Sequence, residues 1–439
     1  MSDRARTIDL TERDERAFLI GLDDPSDERW PVRRSLAELE ALAETAGASV
    51  VGTAFQRRPS PDPAWYFGKG RAAELVDEKA ASDFNVLIVD DELSPNQQRN
   101  LEKLLDCKVL DRSALIIDIF AQRARTREGR LQVELAGLEY HLPRLTRLWT
   151  HLSRTRGGIG TRGGPGETQL ETDRRLIGER IQKLKRELRD VSRQRATASR
   201  RRDDSEVASV ALVGYTNAGK STLLNRLAAS DVYAADKLFA TLDPTSRRVS
   251  LPTGQHIVMS DTVGFINKLP HHLVDAFRAT LEEVVRADLL LEVVDAADPN
   301  FVGQQEAVQA VLDELGAGDT PRIAVFNKVD LLDADLRTDA VQPDHDAVAF
   351  VSAETGEGTD ALLAKVADAL RARMVAVDAV IPYERGELVA RARTAGDVSE
   401  RYTEGGIRVS GHLPAAIAAE LGAAARSSAA SGSKRAVPG

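Results

Sequence analysis

Gly214-Tyr215-Thr216-Asn217-Ala218-Gly219-Lys220-Ser221-Thr222 fits the phosphate-binding pattern G-x-x-x-x-G-K-S/T. An apolar run from Val207 to Val213 precedes it and predicts a strand, and Leu223, Leu224 and Leu227 follow at helical spacing. Between strand and helix, such a loop turns backbone N–H groups toward a β-phosphate at the positive end of a helix dipole. Lys220 is placed to reach the β- and γ-phosphates, and the Ser221 hydroxyl to ligate Mg²⁺.

Four further segments follow in the order a GTP-hydrolysing domain requires. Asp261-Thr262-Val263-Gly264 ends the run HIVMSD; its carboxylate can hold Mg²⁺ through water, and the Gly264 N–H can sense the γ-phosphate. Asn327-Lys328-Val329-Asp330 ends the run RIAVF, and the Asp330 carboxylate can accept from guanine N1–H and the 2-amino group together. Adenine has neither donor, and an unpaired buried carboxylate can reject an analogue by roughly 10⁴-fold. Ser352-Ala353-Glu354 follows AVAFV, where backbone N–H groups can contact guanine O6. Phe239-Ala240-Thr241-Leu242-Asp243 lies between the phosphate loop and the D-x-x-G turn. There Thr241, preferred to Thr245, completes Mg²⁺ coordination and closes over the γ-phosphate. Lys220, Thr241 and Gly264 are thus the catalytic candidates, and Ser221 and Thr241 the metal ligands.

Phe265 follows the D-x-x-G turn, where small GTPases of the Ras type carry a glutamine that orients water. A phenyl ring cannot do this, so slow intrinsic hydrolysis that depends on a partner is expected. Asn217 is a candidate ligand for a monovalent cation such as K⁺.

The whole chain has 439 residues, 42% hydrophobic, 29% charged and 5% aromatic, enough for several cores. Its single cysteine, Cys107, excludes an intramolecular disulfide and suits a reducing compartment. The start MSDRARTIDLTERDE has no apolar signal core, and no run is long enough to span a membrane. A cytoplasmic monomer is expected, with partial association to a membrane surface. Its seven histidines show no zinc-type spacing, which leaves Mg²⁺ as the expected metal.

Composition and pattern divide the chain. Residues 1–16 read as a polar tail. Residues 17–115 alternate strand and helix, which predicts a small parallel α/β domain. Ser35 and Ser113 are candidate helix caps, and Ser94-Pro95-Asn96-Gln97 is a capping-box start. Residues 116–205 carry Leu131 to Leu152 and then Ile177 to Val191 at three/four spacing, an antiparallel helical hairpin interrupted by Pro143. Its connector, GGIGTRGGPG, runs from Gly157 to Gly166. The nucleotide domain covers 206–374, a small C-terminal module 375–424, and a disordered tail 425–439. Trp65-Tyr66-Phe67-Gly68-Lys69-Gly70 reads as plain core aromatics and a helix-start turn that need no function, with a second, weaker nucleotide or RNA contact as the alternative.

Residues 151–202 hold fifteen Lys or Arg against six acids, a net +9 in a chain of −9, so the remainder carries −18. Such a run is commonly a solvated helix face. The glycine-rich connector beside it suits a narrow RNA cavity, with Arg154, Arg156 and Arg162 on phosphates.

GYTNAGKSTLLN, FATLDPT, DTVGFI, NKVD, RGGIGTRGGPGETQLETDRR and WYFGKGRAAEL together resemble the HflX GTPases, over about residues 40–415. The resemblance implies an N-terminal α/β subdomain, a helical hairpin and a Ras-like P-loop G domain. It also implies binding to the large ribosomal subunit and its RNA, and GTP-dependent splitting of stalled ribosomes. A non-catalytic GTP-sensing assembly or anti-association factor is the alternative. Glu354 stands where a lysine is common in that family.

Overall fold

The computed structural model describes residues 15–25, 30–145, 167–203, 207–228, 238–239, 242, 244–270, 273, 277, 281–332 and 347–432. Two compact units divide the chain, Met1–Gln122 with Ala136–Glu179, and Arg123–Leu135 with Arg180–Gly439. Each is described by itself.

The first unit is built on a parallel sheet of β1 (Arg16–Asp23), β2 (Ser49–Arg57), β3 (Val86–Val89) and β4 (Lys108–Asp111), in the order β2-β1-β3-β4. Its helices are α1 (Val32–Ala46), α2 (Lys69–Ser82), α3 (Pro95–Leu105) and α4 (Arg112–Arg123). All four residues of β3 are buried, as expected of a parallel strand covered on both faces. Strand β1 begins inside the stretch read as a polar tail and lies in the interior of the sheet. Tyr66 and Phe67 are buried core aromatics in edge-to-face contact.

Two of the three expected helix caps do not form. Ser94 and Gln97 form the reciprocal capping box, as expected. Ser35, however, lies inside α1 and donates its buried hydroxyl to Asp90 Oδ2 at 2.6 Å. At α4 the cap is Asp111, whose Oδ1 accepts from the Ala114 N–H at 2.8 Å, and Ser113 sits within the helix. A carboxylate at the end of β4 takes the cap because it stands before the first turn, where its oxygen can accept the free Ala114 N–H.

These carboxylates belong to a buried polar layer at the carboxyl end of the sheet. Asp90 (0% exposed) pairs with Arg112 (1%) at 2.9 Å, and Arg112 also grips Glu38. Arg144 donates to Asp111 Oδ2 at 3.1 Å and to the Leu93 carbonyl at 2.8 Å, with its guanidinium 3.6 Å above the Tyr140 ring. Burial pushes the Asp111 carboxyl above its ordinary range, opposed by the Ala114 N–H and by Arg144.

Helix α5 (Arg127–His141) ends ahead of Pro143, which sits in a 3-10 turn, Leu142–Arg144. Proline lacks the N–H that another helical turn needs. Helix α6 (Glu167–Asp203) is one continuous helix of 37 residues. Arg180 holds Glu134 through two bonds, at 2.7 and 2.8 Å, and Arg174 donates to the Leu145 carbonyl at 3.1 Å. This pairing order is antiparallel. The connector Gly157–Gly166, with Arg154, Arg156 and Arg162, lies outside the described residues.

In the second unit a six-stranded sheet runs β10-β9-β8-β5-β7-β6. Its strands are β5 (Ser209–Gly214), β6 (Thr245–Ser250), β7 (His256–Asp261), β8 (Leu289–Asp295), β9 (Arg322–Asn327) and β10 (Ala347–Phe350). Every pairing is parallel except β6 with β7. From β5 the chain adds β7 on one side and β8 on the other. The strand order thus reverses at the carboxyl end of β5, where open α/β sheets bind ligands. Leu212, Val293, Val325 and Val351 fill the core beneath.

The chain then forms an antiparallel sheet, β11 (Val375–Ile381), β13 (Gly406–Leu413) and β12 (Asp397–Thr403), with Leu388, Ile417 and Leu421 packed on it. The last helix, Ala415–Gly432, runs beyond residue 424, so the stretch to Gly432 is helical where a tail was expected. Its alanine-rich sequence has high helix propensity.

Candidate nucleotide site

The site is assembled where β5, β7, β9 and β10 end. Two glycines make the loop after β5 possible. Gly214 has φ +142°, and a Cβ there would lie 2.2 Å from the Val293 carbonyl of β8. Gly219 has φ +92°, and a Cβ there would lie 2.2 Å from Asn327 Nδ2. The loop between them has Asn217 exposed at φ +60° and Ala218 buried, and helix α7 (Lys220–Leu227) starts immediately after.

Lys220 is buried, and its Nζ donates to the carbonyls of Gly214 at 3.0 Å and Tyr215 at 2.7 Å. Burial pushes its pKa down to about 8, partly opposed by Asp261. The Ser221 hydroxyl donates to Asp261 Oδ2 at 2.6 Å, which joins the start of α7 to the end of β7. Thr222, next on α7, is half-buried. The turn after β7 is locked onto the phosphate loop. Thr216 N–H donates to the Phe265 carbonyl at 2.8 Å, and Phe265 N–H to the Gly214 carbonyl at 3.1 Å. Thr262 anchors the turn by donating to the Leu212 carbonyl at 2.6 Å, with Val263 buried beside it. Gly264 stands so close that a Cβ would come within 2.9 Å of Thr216. Phe265 is 1% exposed, so its ring is core and its main chain is site.

On the base side, Asn327 ties three segments together. Its Nδ2 donates to the Ala218 carbonyl at 2.8 Å, and its Oδ1 accepts the Ala353 N–H at 2.9 Å. Lys328, at φ +65°, reaches Asp295 at 2.7 Å, and the Val329 N–H donates to the Val351 carbonyl at 3.2 Å. Asp330 is exposed in the following 3-10 turn, which leaves its carboxylate accessible. Ser352 shapes its own loop, accepting the Thr355 N–H at 3.1 Å. The Ser352 N–H donates to the Glu357 carbonyl at 3.0 Å and the Ala353 N–H to Asn327, so of the three amides of the segment expected to face guanine O6 only that of Glu354 is left. Phe239 and Leu242 are buried, while Ala240, Thr241 and Asp243 lie outside the described residues.

Two observations test whether a Mg²⁺–phosphate group fits. The Thr216 hydroxyl is buried without a hydrogen-bond partner, beside Lys220 and Gly264. No cluster of three or more His, Cys, Asp or Glu occurs among the described residues, so a metal here would draw most ligands from phosphate and water. That is the habit of Mg²⁺. The residues fit. One contributor was missed in the sequence. Arg226 of α7 reaches the carbonyls of Ala353 and Glu354, a long-range contact that no local pattern announces.

A parallel sheet, a phosphate loop at its switch point and a base-side asparagine and aspartate define a P-loop GTPase. Family models match three consecutive stretches: a GTP-binding GTPase N-terminal region over 33–121, a GTP-binding GTPase middle region over 123–202, and a 50S ribosome-binding GTPase over 209–328. The chain is 48% identical to GTPase HflX of Lacrimispora saccharolytica, over 94% of this chain and 97% of that one. It is 45% identical to GTPase HflX of Escherichia coli, over 84% and 87%. A distant fold likeness is to a GTP-binding protein of Sulfolobus solfataricus in complex with GDP, at 23% identity over 81% and 98% with a TM-score of 0.42. The chain belongs to the HflX GTPase family and binds GTP.

Proposed function

We propose that this chain is a GTP-operated switch that engages the large ribosomal subunit and uses GTP binding and hydrolysis to dissociate or recycle stalled ribosomes. The charge contrast carries the reading: residues 151–202 hold +9 in a chain of −9, directly ahead in sequence of the phosphate and base segments. The family model over 209–328, described as a 50S ribosome-binding GTPase, supports the same partner.

In this reading the phosphate loop and Lys220 hold the phosphates. Asp330 selects guanine, and the Gly264 N–H responds to the γ-phosphate. Ser221 and Thr241 would hold Mg²⁺, with Asp261 behind it, and the ion supplies charge neutralisation on the phosphates when bound. Phe265 offers nothing to align a water molecule, so turnover is slow until a partner orders the segment around Thr241. Arg154, Arg156 and Arg162 make phosphate contacts with RNA. Asn217 is placed for K⁺, and hydrolysis that runs equally in K⁺ and Na⁺ removes that role. Among the described residues no helix is long and apolar enough to cross a membrane. A cytoplasmic monomer, partly on ribosomes, belongs with the proposal.

The deciding measurement is GTP hydrolysis with and without purified large subunits. Stimulation of tenfold or more, on the order expected when a partner supplies positioning, is the expected result. Equal rates overturn it.

A further inference from the structure

Arg226 stands on α7, the helix that starts at the phosphate loop, yet its guanidinium works on the loop after β10. Nε donates to the Ala353 carbonyl at 3.1 Å, and Nη2 donates to the Glu354 carbonyl. The neighbouring Ala353 N–H is already committed to Asn327. The Glu354 N–H donates to no protein atom among the described residues. The Ala353 carbonyl and the Glu354 N–H belong to one trans peptide unit, so they point in opposite directions. A group that fixes the carbonyl on one side therefore aims the N–H to the other.

The loop needs such a group. Between Val351 and Gly358 it has no strand or helix, and Gly356 and Gly358 take φ of +90° and +74°. Its own bonds, Gly356 N–H to the Ser352 carbonyl at 2.8 Å and Thr355 N–H to Ser352 Oγ at 3.1 Å, close the turn without touching the 353–354 peptide. Asn327 and Arg226 hold the two peptides on either side of Ala353.

We propose that Arg226 is a positioning residue for base recognition: by gripping the Ala353 carbonyl it aims the Glu354 N–H at the 6-oxo group of a purine nucleotide. This rests on reading Asn327–Asp330 and Ser352–Glu354 as the base pocket. It adds a second point of discrimination to Asp330, because adenine presents a 6-amino donor where this amide needs an acceptor. It also couples the two ends of the ligand, since the same helix carries Lys220 and Ser221 at its start.

The test compares dissociation constants for GDP and 6-thio-GDP, whose sulfur is a poor acceptor, in the full chain and its Arg226→Ala and Arg226→Lys variants. One neutral hydrogen bond is worth about a three- to tenfold preference, so the native chain should favour GDP by about that factor. Arg226→Ala should bring the ratio toward one, raise KM for GTP by a similar factor and leave kcat unchanged. Arg226→Lys should restore part of the ratio. A ratio in Arg226→Ala equal to the native one overturns the role of Arg226. An Asp330→Asn variant tests the underlying reading separately. A gain for xanthosine diphosphate upholds the base pocket, and no gain overturns the pocket itself.

Discussion

Adding a single methyl group at Gly264 should separate GTP binding from GDP binding. In Gly264→Ala the new Cβ would lie 2.9 Å from both Cα and Cγ2 of Thr216 and 3.0 Å from Lys220 Nζ. Carbon pairs settle at about 3.5–4.0 Å, so the turn must retreat by roughly 0.6 Å or more. It is not free to do so, because the bonds of Phe265 to Thr216 and Gly214, 2.8 and 3.1 Å long, hold it on the phosphate loop. Overpacking of this kind costs about 1–3 kcal/mol of stability. The ligand effect is distinct, since the retreat carries the Gly264 N–H away from a γ-phosphate that GDP lacks. A hydrogen bond to a charged acceptor is worth about 1.5–3 kcal/mol, so a non-hydrolysable GTP analogue should bind about 10- to 100-fold more weakly. GDP affinity should stay within about twofold of the native value, because its phosphates do not depend on that amide. Competitive titration against a fluorescent GDP measures both. An equal loss for both ligands, or none for the analogue, would refute the reasoning.

Other perturbations reach further from the pocket. Arg112→Met strips the buried Asp90 of its guanidinium and should cost the N-terminal domain about 3–5 kcal/mol, read by urea unfolding through Trp65 fluorescence. A loss below about 1 kcal/mol would mean the pair is not sealed from water. His141 is held below its ordinary pKa by burial, with the Arg144 charge adding to the effect. The unfolded chain therefore binds this proton first, and stability should fall as pH drops through the ordinary histidine range near 6.5. His141→Leu should flatten that slope, and an unchanged slope assigns it elsewhere. Burial also raises the Cys107 thiol, so a disulfide reagent at pH 8 should modify it more slowly than a free thiol and equally fast in denaturant. Native-state reactivity equal to that of the free thiol excludes this.

The nucleotide domain was legible because its chemistry is local in sequence. Four of the five phosphate or base segments sit at the end of a strand, and a strand end of that kind reads from a handful of neighbours. Strand β1 was not legible, because Phe18-Leu19-Ile20 is a short apolar run with charged residues on both sides. Its partners in the sheet are more than thirty residues away. Ser35 shows the same limit. Its position fits a helix cap, and its buried partner Asp90 lies 55 residues on. Asn327 was seen as part of a tetrad, while its bridging of Ala218 and Ala353 appears only once the strands are side by side. Arg226 carries no pattern at all, since an arginine on an amphipathic helix is ordinary.

The three-way tie at Asn327 has a consequence for how the protein is made. Synthesis runs from the N-terminus and domains fold as they emerge. The four-stranded sheet is complete once Asp111 is out, and the long helix once Asp203 is out. The pocket closes only when Ala353, late in the chain, meets an asparagine that has already met Ala218. A nascent chain therefore passes through a long interval with its basic helix finished and its nucleotide pocket still open. Any truncated product ending before that residue would carry the helix without a closed nucleotide pocket.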